Sequence, residues 1–595
     1  MALNEPSSSS KSTPRRPWTV LTITGALSVF AMISFLTASP AHGLSSGHVF
    51  DKRMLSVNTK VLDEAAEEIL SGAHGQILQK RGKASPGKSN ADLEWIRLRL
   101  GTKSPYPHED KPEGSLDDVP DGYELVQLHL ICRHGTRYPS ASDSVAYKKL
   151  TERLSNTTVP GYEWIRNWSS ETWYPPSRGN LLATRGDADL YEIGRRFAKR
   201  YESFLDQYPY SPNNYEFRSS HKSRCSQSAY GFSLGFFEDR LVSDEEPHRS
   251  KSGRHLDAPP SQPIHIYTVP QGLDQEMAVE DSCPKYLNEV ADQPAVGKQV
   301  KLYQDSFIPV LAQNLSTTFG VNFTAKDASR IYQMCGFEAS IYDDVTTWCQ
   351  MLLPIAGKND KKGNHGQDKS RQDNFIKLEI AGDLDDFYTH GPGVPFNQEM
   401  GCKLGTSLMQ SIELALSSGP DAIGDGADGG STDLYRGHLK FGHSETIMFF
   451  STYLGLYNRT GVVLTADMTP DQYAKREFRS SLFAPFAANM AFEVFQPKAS
   501  GSNKIHRRRL NRRAASDPQG LVRLLVNEMP LPIPGCDGAM FCEWSKFKSI
   551  LIQRGAGCDF ESCCGTVPPI SGKTSQLSVT FAANATCPST TPVVP

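Results

Sequence analysis

Residues 129–140 read HLICRHGTRYPS: an apolar run ends in Arg133 and His134, Gly135 follows, and Arg137 comes two residues later. Just upstream, ELVQLHLIC (124–132) alternates and then turns apolar, the pattern of a buried strand. Consecutive strand residues face opposite ways, so Arg133 and His134 would be kept apart if the strand ran on. Gly135 allows a sharp turn there, after which Arg133, His134 and Arg137 can converge. Two guanidiniums beside one imidazole oppose its protonation and favour the neutral, nucleophilic form.

Working outward, ATRGDADLYEIGRRFAKRY (183–201) reads as a helix with Leu190, Ile193, Phe197 and Tyr201 on one face. A strand-like run at 214–219 leads to a second helical stripe of Cys225, Ala229, Phe232 and Phe236, with Arg224 at its start. Helical segments follow at about 298–315 and 325–340, and a third strand and helix at about 435–441 and 445–454. Runs at 490–496 and 521–527 supply two more strands, separated by the basic loop KIHRRRLNRR. GKNDKKGNHGQDKSRQDN (357–374) and SSGPDAIGDGADGGS (417–431) are loops by composition. Strand, polar loop and helix recur, with helical material inserted between the repeats. This predicts an α/β fold: a parallel or mixed central sheet flanked by helices, carrying an inserted, mainly helical cap. Sheets of this kind bind ligands beyond the carboxyl ends of their strands, where Arg133-His134, Arg224 and His443-Glu445 fall.

Such a set suits a phosphate. Guanidiniums match phosphate oxygens with paired donors and stay charged at working pH. They offset the charge that repels a nucleophile and stabilise the equatorial oxygens in the transition state. The imidazole can then attack phosphorus and split hydrolysis into two easier halves. An alkoxide leaves poorly without a proton, and GHSET (442–446) offers a donor in Glu445, with His443 placed to hold a phosphate oxygen. Ser444 is expected to cap the helix that follows. One competing motif, GFSLG (231–235), matches the nucleophile elbow of serine hydrolases, but that elbow joins a strand to a helix and this one lies inside a helical stripe.

RHGTRYPS resembles the R-H-G-x-R-x-P signature of the histidine acid phosphatases, whose superfamily also contains the phosphoglycerate mutases. The resemblance continues through LLATRGDADLYEIGRRF, SSHKSRCSQSAYGFSLGFFE, FGHSET, PFAANMAFEVF and LVNEMPLPIPGCD, covering roughly residues 95–545. Many members carry His-Asp at the distal motif. His-Ser-Glu here is similar to the His-Ala-Glu of the multiple inositol-polyphosphate phosphatases, which LGTKSPY (100–106) and DLDDFYTHGPGVPFN (383–397) also resemble. The resemblance implies a mutase-like core, His134 as nucleophile, and Arg133, Arg137, Arg224 and His443 on the scissile phosphate. It implies Glu445 as the acid that later activates water, and neither metal nor cofactor. The implied substrate is a small phosphomonoester, an inositol polyphosphate such as phytate, with a broad-specificity acid phosphatase as the alternative. Where other members tend to have lysines, this chain has Asp385, Asp386 and His390, which leaves the preferred number of phosphates open.

The 595 residues, with 22% charged and a net charge of -3, lack the basic excess of a nucleic-acid binder. Lys11, Arg15 and Arg16 precede an apolar segment from Trp18 to Ala38 and a small-residue exit at Ala41, the order of a signal peptide. An uncleaved anchor, giving a single-pass type II membrane protein, is the alternative; the segment's threonines favour cleavage. Six N-x-S/T sequons, at Asn156, Asn167, Asn314, Asn322, Asn458 and Asn584, and twelve cysteines suit a secreted or lumenal protein. The expected divisions are 1–41 signal segment, 42–94 extension, 95–239 first part of the core, 240–400 helical cap, 401–535 second part of the core, and 536–595 Cys-rich tail. The dibasic points Lys52-Arg53 and Lys80-Arg81 flank an amphipathic stretch, and the folded body is expected to start between Asp92 and Pro120.

Overall fold

The computed structural model describes residues 90–107, 119–238, 240–241, 263–353, 369–419, 422, 424–425, 433–498, 518–555, 558–565 and 587–593. The signal segment, the dibasic points, the amphipathic stretch, the basic loop KIHRRRLNRR and Asn584 lie outside them. Leu93 and Ile96 are buried, so the folded body has begun by Leu93.

Among the described residues, eight strands form one mixed sheet: β1 (Tyr123–Arg133), β2 (Tyr215–Ser220), β3 (Ile266–Val269), β4 (Gly437–Gly442), β5 (Asn489–Pro497), β6 (Leu521–Val526), β7 (Met529–Leu531) and β8 (Cys542–Glu543). Their order is β3-β2-β4-β1-β5-β6-β7, with β8 also on β6. The four strands β3, β2, β4 and β1 run parallel, and β5 turns the rest antiparallel. In register, Arg133 at the end of β1 lies opposite Gly442 at the end of β4.

Among the described residues, the nine longer helices are α1 (Ala141–Leu154), α2 (Thr184–Arg200), α3 (Ser223–Phe236), α4 (Lys298–Phe319), α5 (Ala325–Tyr342), α6 (Lys369–Thr389), α7 (Cys402–Ser418), α8 (Ser444–Leu454) and α9 (Trp544–Arg554). On one face of the sheet, Leu128, Leu130 and Cys132 of β1 share a core with α2 and α3. On the other, Val126 and Ile131 join a larger core that reaches α8 and the helices α4 to α6. Alternation divides the side chains of β1 between the two, and an irregularity between Leu125 and Gln127 resets the parity, so that Val126 and Leu128 face opposite ways.

The periodic face of α2 is buried as expected: Leu190, Ile193, Phe197 and Tyr201 are all at most 1% exposed. GFSLG lies in the last turns of α3, and its glycines serve packing. A Cβ on Gly235 would stand 2.1 Å from the carbonyl oxygen of Tyr191 in α2. The loop expected over 357–374 is shorter than its composition suggested, because α6 begins at Lys369. Its polar first turns lack the apolar spacing that would have marked a helix.

Five disulfides join Cys283 to Cys564, Cys335 to Cys349, Cys402 to Cys558, Cys536 to Cys542 and Cys563 to Cys587. Those from Cys402 and Cys283 tie the carboxyl-terminal segment to α7 and to the stretch before α4. Cys132 and Cys225 are free and buried.

Candidate active site

The carboxyl ends of β1, β2 and β4 bring the sequence-singled residues together. Arg133 closes β1, where its N–H donates to the Ala488 carbonyl at 2.7 Å. Its guanidinium stacks on the Phe486 ring at 4.4 Å, and Nη1 donates to the Ala484 carbonyl at 2.8 Å and to that of Thr102. Nε is sealed from solvent and has no hydrogen-bond partner among the described residues. Burial, partly offset by Glu445, lowers its pKa to about 9, which leaves the group charged at neutral pH.

His134 is 3% exposed, and its N–H donates to the Gly442 carbonyl at 3.0 Å, tying it to the end of β4. Its Nδ1 lies 2.8 Å from the Gly135 carbonyl. A carbonyl can only accept, so Nδ1 carries the proton and Nε2 presents its lone pair. Burial, followed by Arg133, Arg224, His443 and Arg137, pushes the imidazole pKa well below its ordinary value. Neutrality comes first from desolvation and only then from the guanidiniums, a different order from the sequence reading.

Gly135 also serves differently from expected. It does not adopt a positive φ. It permits close approach: a Cβ there would stand 2.2 Å from the carbonyl oxygen of Gly186, in the first turn of α2. Its N–H donates to Ser228 Oγ at 3.0 Å, and Ser228 in turn donates to the Arg224 carbonyl. The loop carrying His134 is thereby tied to α3.

Arg137 lies over the Phe337 ring at 5.7 Å and donates to the Tyr138 carbonyl; burial and then Arg224 lower it to about 10. Arg224 reaches in from the start of α3, with Nη2 3.4 Å from His443 Nδ1. Guanidinium only donates, so Nδ1 accepts, and His443 Nε2 then donates to Ser220 Oγ at 2.9 Å. Burial, Arg224 and Arg133 keep His443 neutral, with a pKa of about 3 despite Glu445. The rings of His134 and His443 meet edge to face with centroids 5.6 Å apart.

Glu445 stands in the first turn of α8. The expected cap is corrected here: His443, not Ser444, is the N-cap, and its N–H donates to Thr446 Oγ1 at 3.0 Å. Ser444 lies one residue too far into the helix, and its hydroxyl donates to Glu445 Oε2 at 2.9 Å. Burial raises the Glu445 pKa, but His390, His443, a backbone N–H and Arg133 outweigh it and hold the carboxyl below the usual range.

Sequence reasoning passed over Ser220, Ser228 and Phe486, which hold His443, the Gly135 loop and Arg133. Their segments were matched to the family motifs, but nothing local assigns them partners 93 or more residues away. Lys103 is also part of this basic surface: burial and then Arg137 lower its pKa. Among the described residues, metal-ligating atoms cluster only at Glu399, Cys402 and Cys558, and those two cysteines are a disulfide.

A nucleophilic nitrogen among three guanidiniums, at strand ends, with a carboxyl at a helix start, is the constellation of a phosphate-transferring enzyme. Residues 124–527 match the histidine phosphatase superfamily (branch 2), and the chain belongs to that family. It is a phosphatase. Multiple inositol polyphosphate phosphatase 1 of Dictyostelium discoideum is 26% identical over 75% of this chain and 69% of its own. A thiamine-repressible acid phosphatase of Schizosaccharomyces pombe is 22% identical over 74% of this chain and 83% of its own. Among solved structures, the phytase of D. castellii is 20% identical with a TM-score of 0.58, over 79% of this chain and 88% of its own. The Bifidobacterium longum multiple inositol polyphosphate phosphatase, in complex with inositol hexasulfate, is 18% identical with a TM-score of 0.54, over 76% and 97%. These two share its fold.

Proposed function

We propose that this phosphatase hydrolyses inositol polyphosphates, phytate included, through a phosphohistidine on His134 and without a metal ion. The observation that carries the reading is the His134 tautomer: Nδ1–H engaged by the Gly135 carbonyl, Nε2 unprotonated among Arg133, Arg137 and Arg224. The arginines bind the scissile phosphate and supply the charge compensation a metal would otherwise give. Once Arg224 turns to the phosphate, His443 Nδ1 is released from its bond and can take a proton and join them. Nε2 attacks phosphorus, the ester P–O bond breaks, and Glu445 passes its proton to the leaving oxygen. Glu445, now a carboxylate, takes a proton from water; that water attacks phosphorus, the P–N bond breaks and His134 is restored.

A bound phosphate beside Glu445 raises its pKa by like-charge repulsion. Neutral His134 and protonated Glu445 coexist on the acidic side, so the rate profile is bell-shaped with an acidic optimum. Lys103 beside Arg137 favours a substrate with further phosphates. Asp385, Asp386 and the acid phosphatase relatives favour the second reading, a broad-specificity acid phosphatase. Exposed sequons at Asn156, Asn167, Asn314 and Asn322, together with five disulfides, support a secreted or lumenal protein.

The test is phosphate release from phytate with EDTA present, comparing the protein with His134→Ala, and phytate with a simple aryl phosphate. Release that survives EDTA and falls at least about 10³-fold in the variant is expected. An aryl phosphate preferred by a wide margin in kcat/KM would favour the second reading.

A further inference from the structure

The inserted stretch brings a second carboxyl, Glu280, into the electrostatic field of Glu445. Asp274 Oδ1 accepts from the N–H groups of Glu276 and Met277, at 3.1 and 2.8 Å, and turns the chain toward the site. The Met277 carbonyl accepts from Thr446 Oγ1 at 2.7 Å, and a Cβ on Gly442 would stand 2.9 Å from it. The segment is therefore seated on the β4–α8 junction that carries His443 and Glu445. Three residues on is Glu280, in the short turn Val279–Ser282.

The same face of α8 is walled farther along. Phe449, one turn after Glu445, is met edge-on by Tyr286 at 5.4 Å and by His390 at 5.3 Å. Tyr286 donates to the Thr389 carbonyl, and Thr452 donates to that of His390, so both walls are pinned. On the same inserted stretch, Glu280 Oε2 is sealed from solvent and has no hydrogen-bond partner among the described residues. A carboxylate so placed is costly, whereas a carboxylic acid is tolerated.

We propose that Glu280 shares one proton with Glu445, forming a carboxyl pair that keeps the proton donor loaded at pH values where Glu445 alone would have lost it. This rests on the reading of Glu445 as the acid. Burial first, and then the Glu445 charge, push Glu280 well above the ordinary carboxylate range, with Asp281 adding and His390 opposing. Cys225 from α3 and Tyr286 are the other titratable groups within its field. Neighbouring carboxyls lose their protons in two separated steps, so the pair holds one proton across the acidic and neutral range. Substrate phosphate, arriving on the arginine side, repels the Glu445 carboxylate and draws the shared proton onto it. After the proton has gone to the leaving oxygen, the attacking water returns one to the pair. Glu280 acts through Glu445 and is a positioning residue for the proton.

The experiment is kcat/KM against pH for phytate in the full protein, Glu280→Gln, Glu280→Asp and Glu445→Gln. In Glu280→Gln the basic limb is expected to move acidward by about one pH unit or more, with activity near the optimum within about 3-fold of the parent. Glu280→Asp should lie between, and should carry the test if the Gln variant does not fold. For an activated aryl phosphate, whose leaving group needs no proton, the shift should shrink. A Glu280→Gln profile of unchanged shape, scaled equally at every pH, would overturn the proposal and leave a structural role. Full activity of Glu445→Gln on phytate would instead overturn the reading of Glu445 on which it rests.

Discussion

At the position of Gly135, one missing Cβ sets where the nucleophile sits. The loop after β1 and the first turn of α2 approach so closely that a methyl at Gly135 meets the Gly186 carbonyl, backbone against backbone. Neither partner can rotate away as a side chain would, so Gly135→Ala has to shift the loop that bears His134. A displacement of about 1 Å at a reacting group costs on the order of 10²-fold in rate. We expect Gly135→Ala to lower kcat on phytate by about that factor, measured beside a thermal unfolding curve that shows the variant folded. Unchanged kcat would mean that the loop yields without moving His134. The glycine itself was legible in the sequence, but its reason was not: a turn is a local inference, whereas the approach of Gly186 is a fact of packing. His443 is similar. GHSET marked it, yet its bonds to Ser220 and Arg224 depend on β2 and β4 being neighbours in the sheet.

At the scale of elements, the antiparallel half of the sheet is held by a buried ion cluster. Glu493 of β5 accepts from Arg200 Nε of α2 and from the Tyr201 hydroxyl, each at 2.8 Å, and from Arg523 Nε of β6. The Glu493 and Arg523 side chains are fully buried. Removing one member of such a cluster strands the other charge out of water, at a cost of about 3–5 kcal/mol. Glu493→Ala should show a loss of that order in urea unfolding; a change below about 1 kcal/mol would show that water reaches Arg523. Helix and strand periods were readable wherever one face is buried, as in α2, because burial imposes the period. The start of α6 was not readable, since its first turn is polar and resembles a loop. The partners of Glu493 were not either: an acidic residue in MAFEVFQ gives no sign that two arginines and a tyrosine lie against it.

For the whole molecule, the cross-links decide how the carboxyl-terminal segment is kept on the body. Twelve cysteines in the sequence implied an oxidising compartment, but pairing depends on which chain ends meet, and Cys283 joins Cys564 across 281 residues. A cross-link closing so long a loop mainly restricts the unfolded chain and is worth about 2–5 kcal/mol. Replacing both cysteines by serine should lower unfolding stability by that amount and leave the KM for phytate within about 2-fold. A large rise in KM would mean that the tail shapes the site.

The most direct measurement is chemical trapping of the intermediate. After rapid mixing with phytate at acidic pH and quenching into alkali, which preserves phosphohistidine, peptide mass spectrometry should find phosphate on His134, and none in His134→Ala. Turnover at full rate with no phosphate on His134, or with phosphate on another side chain, would contradict the mechanism.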